Sequence, residues 1–426
     1  MTAFKPLDVS SEKMTTVNVT VSTNSPGLQK MRAVGSEGNE KKGTIEALHL
    51  KTDCNFIKSL DPSTLEPIGL AKQEILHPSL TGPLSAAHSK SDPLTGDVYN
   101  FNLDWRGRYP TYRVFHVSSS TGETDVLASI SGPGIYAAYL HSLFLSEDFV
   151  ILCIWNSHIS YNGLSVLWNM NVLDALCPLD PQVPAKWFVV DRKHGRGLVA
   201  EFESPAFFAF HTVNAWQKPN EEDKTKIDIV CSVIEYPDLD IIHKFYYDVL
   251  LSTPTKHFKG ATSRSRLASY ALKGVGTTPL NLTAKNRIIP KAELINSLPN
   301  IGELPMFHSA YRLHRLRYIY TVTDRGYSTL FDGLCKIDLE TRKRTFWDNP
   351  WGHTPGEAIF VPDPEGSRED DGVLLSVVLD GKRGRSCLVC LDARDLREIG
   401  RAECRSVVGL GFHGCHVNAK GGSVEF

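Results

Sequence analysis

Four of the fifteen histidines in this chain sit where a metal ligand would sit. His88 lies in AAHSKSDPLTG, His141 in AAYLHSLFLSEDFVIL, His211 in FFAFHTVNAW and His413 in GLGFHG. Each marks the edge between an apolar run and a polar turn, where a strand end presents a side chain to an inner rim. A neutral imidazole can give one ring nitrogen to a metal ion while the other keeps a hydrogen bond. No two of the four stand at a local chelate spacing. From spacing alone, a shared metal centre and four separate structural histidines both remain open.

Other chemistry-bearing patterns are weaker. The pair in CLVC, Cys387 and Cys390, has C-x-x-C spacing, but in a strand an odd offset sends the two thiols to opposite faces. His353 and Glu357 are four apart, yet HTPGE holds a Pro and a Gly, which exclude the helix that a zincin motif needs. There is no phosphate-binding loop, nucleophile elbow or dinucleotide fingerprint. His308, His314 and His416 have no evident partner and are read as structural.

The elements that must position the four rings read as short alternating runs broken by turns. SLDPSTLEPIG, SKSDPLTGDVYNF, HVSSSTGETDVL, KIDLETRKRTF and CLDARDLREIG repeat one pattern: a strand, a polar residue, a tight turn and a second strand. The polar residues are Asp61, Asp92, Ser118–Ser120, Asp338 and Asp392. Recurring hairpins over this length imply an all-β protein of β-propeller type. The main exception is GLSVLWNMNVLDAL (163–176), where Leu164, Leu167, Trp168, Val172 and Leu176 fall near helical spacing. VNVTVST (17–23) reads as one strand and VGSEGNEKKG (34–43) as a loop. This divides the chain into a flexible segment over 1–45 carrying one strand and a single propeller domain over 46–426.

Composition narrows the class. Apolar residues make up 42% and charged residues 22%, with a net charge of −2. That gives a sizeable core and no electrostatic case for nucleic acid. Nine scattered cysteines fit a reduced compartment. No secretory leader or long apolar run is seen, so the expected location is cytoplasmic.

At the four histidines the sequence resembles the carotenoid cleavage oxygenases. AAHSKSDPLTGDVYNFN, LHSLFLSEDFVIL, FHTVNAW and GFHG are similar to the segments around that family's four iron ligands. GELPMF, GEAIFVPDP, EDDGVLLSVVLD and LDARDLREIGRAE are similar to further family segments. The resemblance implies a seven-bladed propeller with Fe(II) on its axis, held by His88, His141, His211 and His413. It implies that Asp53, Glu303 and Glu357 hold the outer ring nitrogens of ligating histidines, with Asp53 standing where many relatives have Glu. The implied reaction is cleavage of a carotenoid or apocarotenoid C=C by O₂ to two carbonyl products, as in fungal members that act on β-carotene or torulene. Phe207–Phe210, Tyr136, Tyr139, Trp155 and Trp168 are candidates for an apolar tunnel wall. The 163–176 stretch then reads as a point of peripheral membrane contact. Relatives carry more chain ahead of Val17, so the N-terminal blade is expected to be short of strands. A retinoid isomerohydrolase, a stilbene-cleaving relative and a non-catalytic carotenoid-binding propeller share this ligand set. Tunnel residues and iron content separate them.

Overall fold

The computed structural model describes residues 20–28, 45–163, 165–169, 171–250, 265–284, 287–328, 330–408, 412–417 and 423–424. Its antiparallel sheets follow one another along the chain as the blades of a propeller. Blade 1 comprises Thr20–Thr23, Leu48–Lys51, Phe56–Leu60 and Pro67–Lys72. Blade 2 comprises Leu84–Ser85, Lys90–Ser91, Val98–Asp104, Thr111–Val117 and Thr124–Ser131. Blade 3 is Phe144–Leu145, Phe149–Ile154, Ala185–Asp191 and Leu198–Ser204. Blade 4 is Phe208–Pro219, Ile227–Tyr236, Arg266–Val275 and Glu293–Pro299. Blade 5 is Glu303–Met306, Tyr318–Thr323, Gly333–Asp338 and Arg344–Phe346. Blade 6 is His353–Pro355, Ile359–Pro362, Gly372–Asp380, Arg385–Asp392 and Glu398–Glu403.

The propeller therefore has six blades, not the seven that the family resemblance implied. The reason is strand supply. Among the described residues, the only strands left over are His416–Val417 and Ser423–Val424, which pair as a two-stranded ribbon. The first blade, expected to be short, is a full four-stranded sheet. The strand read over 17–23 is present over Thr20–Thr23 and pairs with Leu48–Lys51, while its first three residues and the 34–43 loop lie outside the described residues.

The repeated turns have a common chemistry. Asp61 Oδ1 accepts the backbone N–H groups of Ser63 and Thr64, and Leu65 takes a left-handed φ of 60°. Asp92, Asp338 and Asp392 repeat the arrangement, ending on Gly96, Arg342 and Leu396 at φ 75°, 62° and 60°. Ser118 plays the part with its hydroxyl, ending on Gly122. Two further copies, at Asp191 with Gly195 and at Asp380 with Gly384, escape the sequence pattern. A short acceptor side chain thus satisfies one or two turn donors and steers the fifth residue into the conformation that closes the hairpin.

Between blades, contacts are both apolar and ionic. Trp187, Phe207 and Tyr270 form a buried aromatic stack joining blades 3 and 4. Arg192 of blade 3 reaches Asp92 of blade 2 at 2.6 Å, both side chains being buried. Lys336 meets Asp370 at 2.7 Å and Tyr320 donates to the Ala393 carbonyl, tying blade 5 to blade 6.

The 163–176 stretch is not one helix. It forms short turns at Ser160–Gly163, Val166–Asn169 and Leu173–Ala175. Asn169 donates to the Asp174 carbonyl and Asn171 accepts from Leu173 N–H, so the asparagines divert backbone bonds to local turns. Val166, Val172, Leu173 and Leu176 pack on the core, while Leu164 and the side chains of Leu167 and Trp168 lie outside the description. Among the described residues no helix is long and apolar enough to cross a membrane.

Candidate metal centre

The four histidines, scattered from 88 to 413 in sequence, meet at one point. A ligand atom from each of His88, His141, His211 and His413 lies within 4.8 Å of the others. His88 N–H donates to the His141 carbonyl at 3.2 Å, which aligns the ring-bearing segments of blades 2 and 3. His211 stands in the first strand of blade 4, where the ladder to the next strand is irregular between Ala209 and Thr212. Such a break re-aims a side chain out of the pleat. His413 arrives from the segment that follows blade 6.

Three carboxylates orient three of the rings. Asp53 oxygens lie 2.7 and 2.8 Å from His141 Nδ1. Glu303 Oε2 is 2.6 Å from His211 Nδ1, and Glu357 Oε1 is 3.1 Å from His413 Nδ1. Each acid is itself held. Tyr139 donates its hydroxyl proton to Asp53 at 2.8 Å, and Ala87 N–H donates to the same carboxylate at 3.0 Å. Tyr236 and Leu304 N–H donate to Glu303, both at 2.9 Å, and Gly414 N–H donates to Glu357 at 3.1 Å.

These bonds settle the tautomers. A ring whose Nδ1–H faces a carboxylate carries its lone pair on Nε2. His211 Nε2 and His413 Nε2 are 3.3 Å apart, and His88 Nε2 is 3.1 Å from His413 Nε2. For His211 and His413, whose Nδ1 atoms face Glu303 and Glu357, two lone pairs at that distance repel unless a cation lies between them. The donor set therefore fits a metal that takes several neutral imidazoles. Burial, reinforced by the neighbouring rings, holds His88 and His211 well below the usual histidine pKa, so they stay neutral and able to ligate. Burial also pushes the Glu303 carboxyl up to about 7, against the hydrogen bonds from Leu304 N–H and Tyr236.

The Glu303 segment is strained. Gly302 has φ 89° and Leu304 φ 50°, and a Cβ on Gly302 would stand 2.1 Å from the Val322 carbonyl oxygen. Only glycine fits there, and the bend turns Glu303 inward. Gly414 does not open space beside His413. The position of its absent Cβ is crowded by Ile359, and its contribution is the N–H on Glu357.

Of the tunnel candidates, Trp155 and Phe207 are core residues, packed on each other and, through Phe207, on Trp187. Tyr139 belongs to the Asp53 network, and half-exposed Tyr136 packs against His158. Phe208 and Phe210 do face the centre's surroundings. Phe210 lies 6.0 Å from the His141 ring and 5.9 Å from Phe245, which meets Phe412 at 5.4 Å. Sequence reasoning misses Phe245, Phe412, Tyr236 and the role of Tyr139. The last had a signal, since Tyr139 is two residues before His141 and so shares its side of an extended segment. Cys387 and Cys390 occupy opposite faces of their strand, one buried and one half-buried. His308 caps Ala310 N–H, and His353 sits in a strand near Asp380.

Comparison with known proteins agrees with this geometry. Residues 5–418 match the family described as retinal pigment epithelial membrane protein. The chain is 43% identical to a carotenoid dioxygenase of Neurospora crassa, over 98% of this chain and 72% of that protein. It is 39% identical to a torulene dioxygenase of Fusarium fujikuroi, over 98% and 74%. Among solved structures, a Glu-to-Gln variant of the Synechocystis apocarotenoid oxygenase superposes with a TM-score of 0.65 at 20% identity, covering 89% of this chain and 72% of that one. The lignostilbene dioxygenase of Pseudomonas brassicacearum gives 0.63 at 20% identity, over 89% and 76%; both share the fold. The chain belongs to the retinal pigment epithelial membrane protein family, that of the carotenoid cleavage oxygenases.

Proposed function

We propose that His88, His141, His211 and His413 hold one Fe(II) ion, and that the chain uses it to split a C=C bond of a carotenoid of the torulene or β-carotene type. The chain is a carotenoid cleavage dioxygenase, and its substrates are a carotenoid and O₂. The observation that carries the metal assignment is the convergence of Nε2 atoms whose Nδ1 partners are committed to carboxylates.

When bound, ferrous iron would supply the centre at which O₂ becomes reactive toward a conjugated double bond. The protein's own groups do the rest. Asp53, Glu303 and Glu357 fix ring orientation and strengthen the imidazoles as donors, through hydrogen bonds that Tyr139, Tyr236 and Gly414 hold in place. Four neutral ligands would leave such an ion its full charge. Phe208, Phe210, Phe245 and Phe412 offer an apolar flank that excludes water and lies against a polyene. Both oxygen atoms of O₂ end in the two carbonyl groups, so no external reductant is needed. Peripheral membrane contact at 163–176 belongs to the same proposal, supported by exposed Tyr161 next to that stretch. Flotation with liposomes, with and without Tyr161→Ser, tests it.

The central test is metal content after anaerobic purification with ferrous iron, followed by O₂-dependent bleaching of torulene and β-carotene. One iron per chain, lost in His413→Ala together with bleaching, is the expected result. Iron-loaded, folded protein that bleaches neither polyene would overturn the substrate assignment, and folded protein that takes up no iron would overturn the metal assignment.

A further inference from the structure

Blades 1 and 2 enclose a cavity that the polyene flank does not use. Its apolar wall is Leu28, Phe56, Leu76, Val98, Phe115 and Val117. Polar side chains that reach it are already hydrogen-bonded within the protein. Gln73 donates to the Ser85 hydroxyl and accepts from Asn102. Asn100 donates to the Ala86 carbonyl and accepts from Phe101 N–H, and the Lys51 ammonium donates to the Ser89 hydroxyl. The surface left facing the space is mostly hydrocarbon, which suits a small uncharged guest better than an ion.

The cavity lies one chain thickness behind the metal centre. Thr52 and Cys54 line it, while Asp53 between them faces the His141 ring. Ala86 and Ser89 line it, while His88 joins the other three rings. Successive side chains of an extended segment point to opposite sides, so these two segments show the centre one face and the cavity the other. The small side chains of Ala86 and Ala87 keep the partition thin. It is nonetheless closed to anything long. Asn55 N–H donates to the Pro83 carbonyl at 3.0 Å and Ser85 N–H to the Asp53 carbonyl at 2.8 Å. Ala87 N–H donates to the Asp53 carboxylate at 3.0 Å. A carbon chain would have to break these bonds, whereas a diatomic molecule needs only side-chain fluctuation. None of Phe208, Phe210, Phe245 and Phe412 lines the cavity, so it approaches the rings from a different place.

We propose that this cavity is a holding site for O₂, from which the gas crosses the Ala86–His88 partition while the polyene occupies the aromatic flank. The inference rests on the four rings holding a metal that meets O₂. It gives the two substrates separate routes, so a bound polyene does not bar the gas.

The test begins with iron-free protein under raised O₂ pressure, reading the paramagnetic relaxation of its methyl protons. The expected result is excess relaxation at the Ile57, Leu76 and Val117 methyls over other buried methyls. Val98→Phe fills the space and removes the excess at Ile57 and Val117. Access to the metal is then read by stopped-flow mixing of nitric oxide, a diatomic probe, with anaerobic iron-loaded protein. Val98→Phe and Leu76→Phe each slow its association roughly threefold or more at unchanged iron content. The second variant keeps the test decisive if the first folds badly. Absence of excess relaxation in the folded protein overturns the proposal, and so does an unchanged nitric oxide rate in both filled variants. Iron content and polyene bleaching on the same samples separate the two readings. Protein that shows the relaxation and the slowed rates yet bleaches neither polyene keeps the gas site and loses the substrate assignment. Folded protein that takes up no iron overturns the route together with the metal assignment.

Discussion

Glu303 shows how much one carboxylate does for its ring. It sits 2.6 Å from His211 Nδ1 and takes two further hydrogen bonds from Tyr236 and Leu304 N–H. Glu303→Gln keeps the shape and removes the charge. Metal affinity is expected to fall roughly 10–100-fold with the fold intact, measurable by competition with a metal-sensing dye. A second residue-scale prediction concerns His158, which burial holds down to about 4 while its ring packs on Tyr136. The folded state keeps this ring neutral, whereas the unfolded chain protonates it below about pH 6.5. Its contribution is therefore present above pH 6.5 and is lost as the pH falls from there toward 4, at up to about 1.4 kcal/mol per pH unit. His158→Gln should flatten the acid limb of the stability profile, and an unchanged limb in urea titrations at pH 5 and 7 would sink the idea. At this scale the sequence alone left the four histidines unlinked, because no pair is locally spaced. Resemblance supplied the set; Tyr139 could be found only through its place two residues before His141, and Tyr236 behind Glu303 stayed invisible because a hydroxyl partner far off in sequence has no spacing rule.

At the scale of elements, blade 5 is entered through a bend that only glycine allows. Gly302→Ala forces a Cβ against the Val322 carbonyl oxygen, at a left-handed φ as well. The expected cost is about 1–3 kcal/mol of stability, and Glu303 moves with the strand, so metal affinity falls in the same variant. Chemical denaturation and metal titration read the two effects separately. The hairpins themselves were legible, since a turn written by Asp or Ser followed by a left-handed residue is a local code. The 163–176 segment was misjudged for the converse reason. Helical spacing of apolar residues was visible, but the competing bonds of Asn169 and Asn171 decide the backbone. Trp155 and Phe207 were read as tunnel residues because an aromatic type does not say which side of a strand meets the core.

For the whole molecule, the centre joins blades 2, 3 and 4 to the segment after blade 6. A metal bound only by the folded state stabilises it by RT ln(1 + [M]/Kd), about 2.7 kcal/mol at a hundredfold excess over Kd. Metal-loaded protein is therefore expected to melt several degrees above the apoprotein, and the difference should vanish in His413→Ala. An equal gain in that variant would mean that the ion stabilises some other place. The propeller class was legible from repetition, but the number of blades was not, because it depends on how many strands pair and not on how any one of them is written.

The contact between His88 and His413 spans 325 residues. During synthesis the first three rings emerge long before the fourth, and Glu303 and Glu357, the acids of blades 5 and 6, come between. A metal ion met early finds at most a partial set of donors; the complete set exists only once His413 has been made and the blades have docked. Loading is thus expected late in this protein's life, and a chain whose blade 6 misfolds has no fourth ring in place to complete the site.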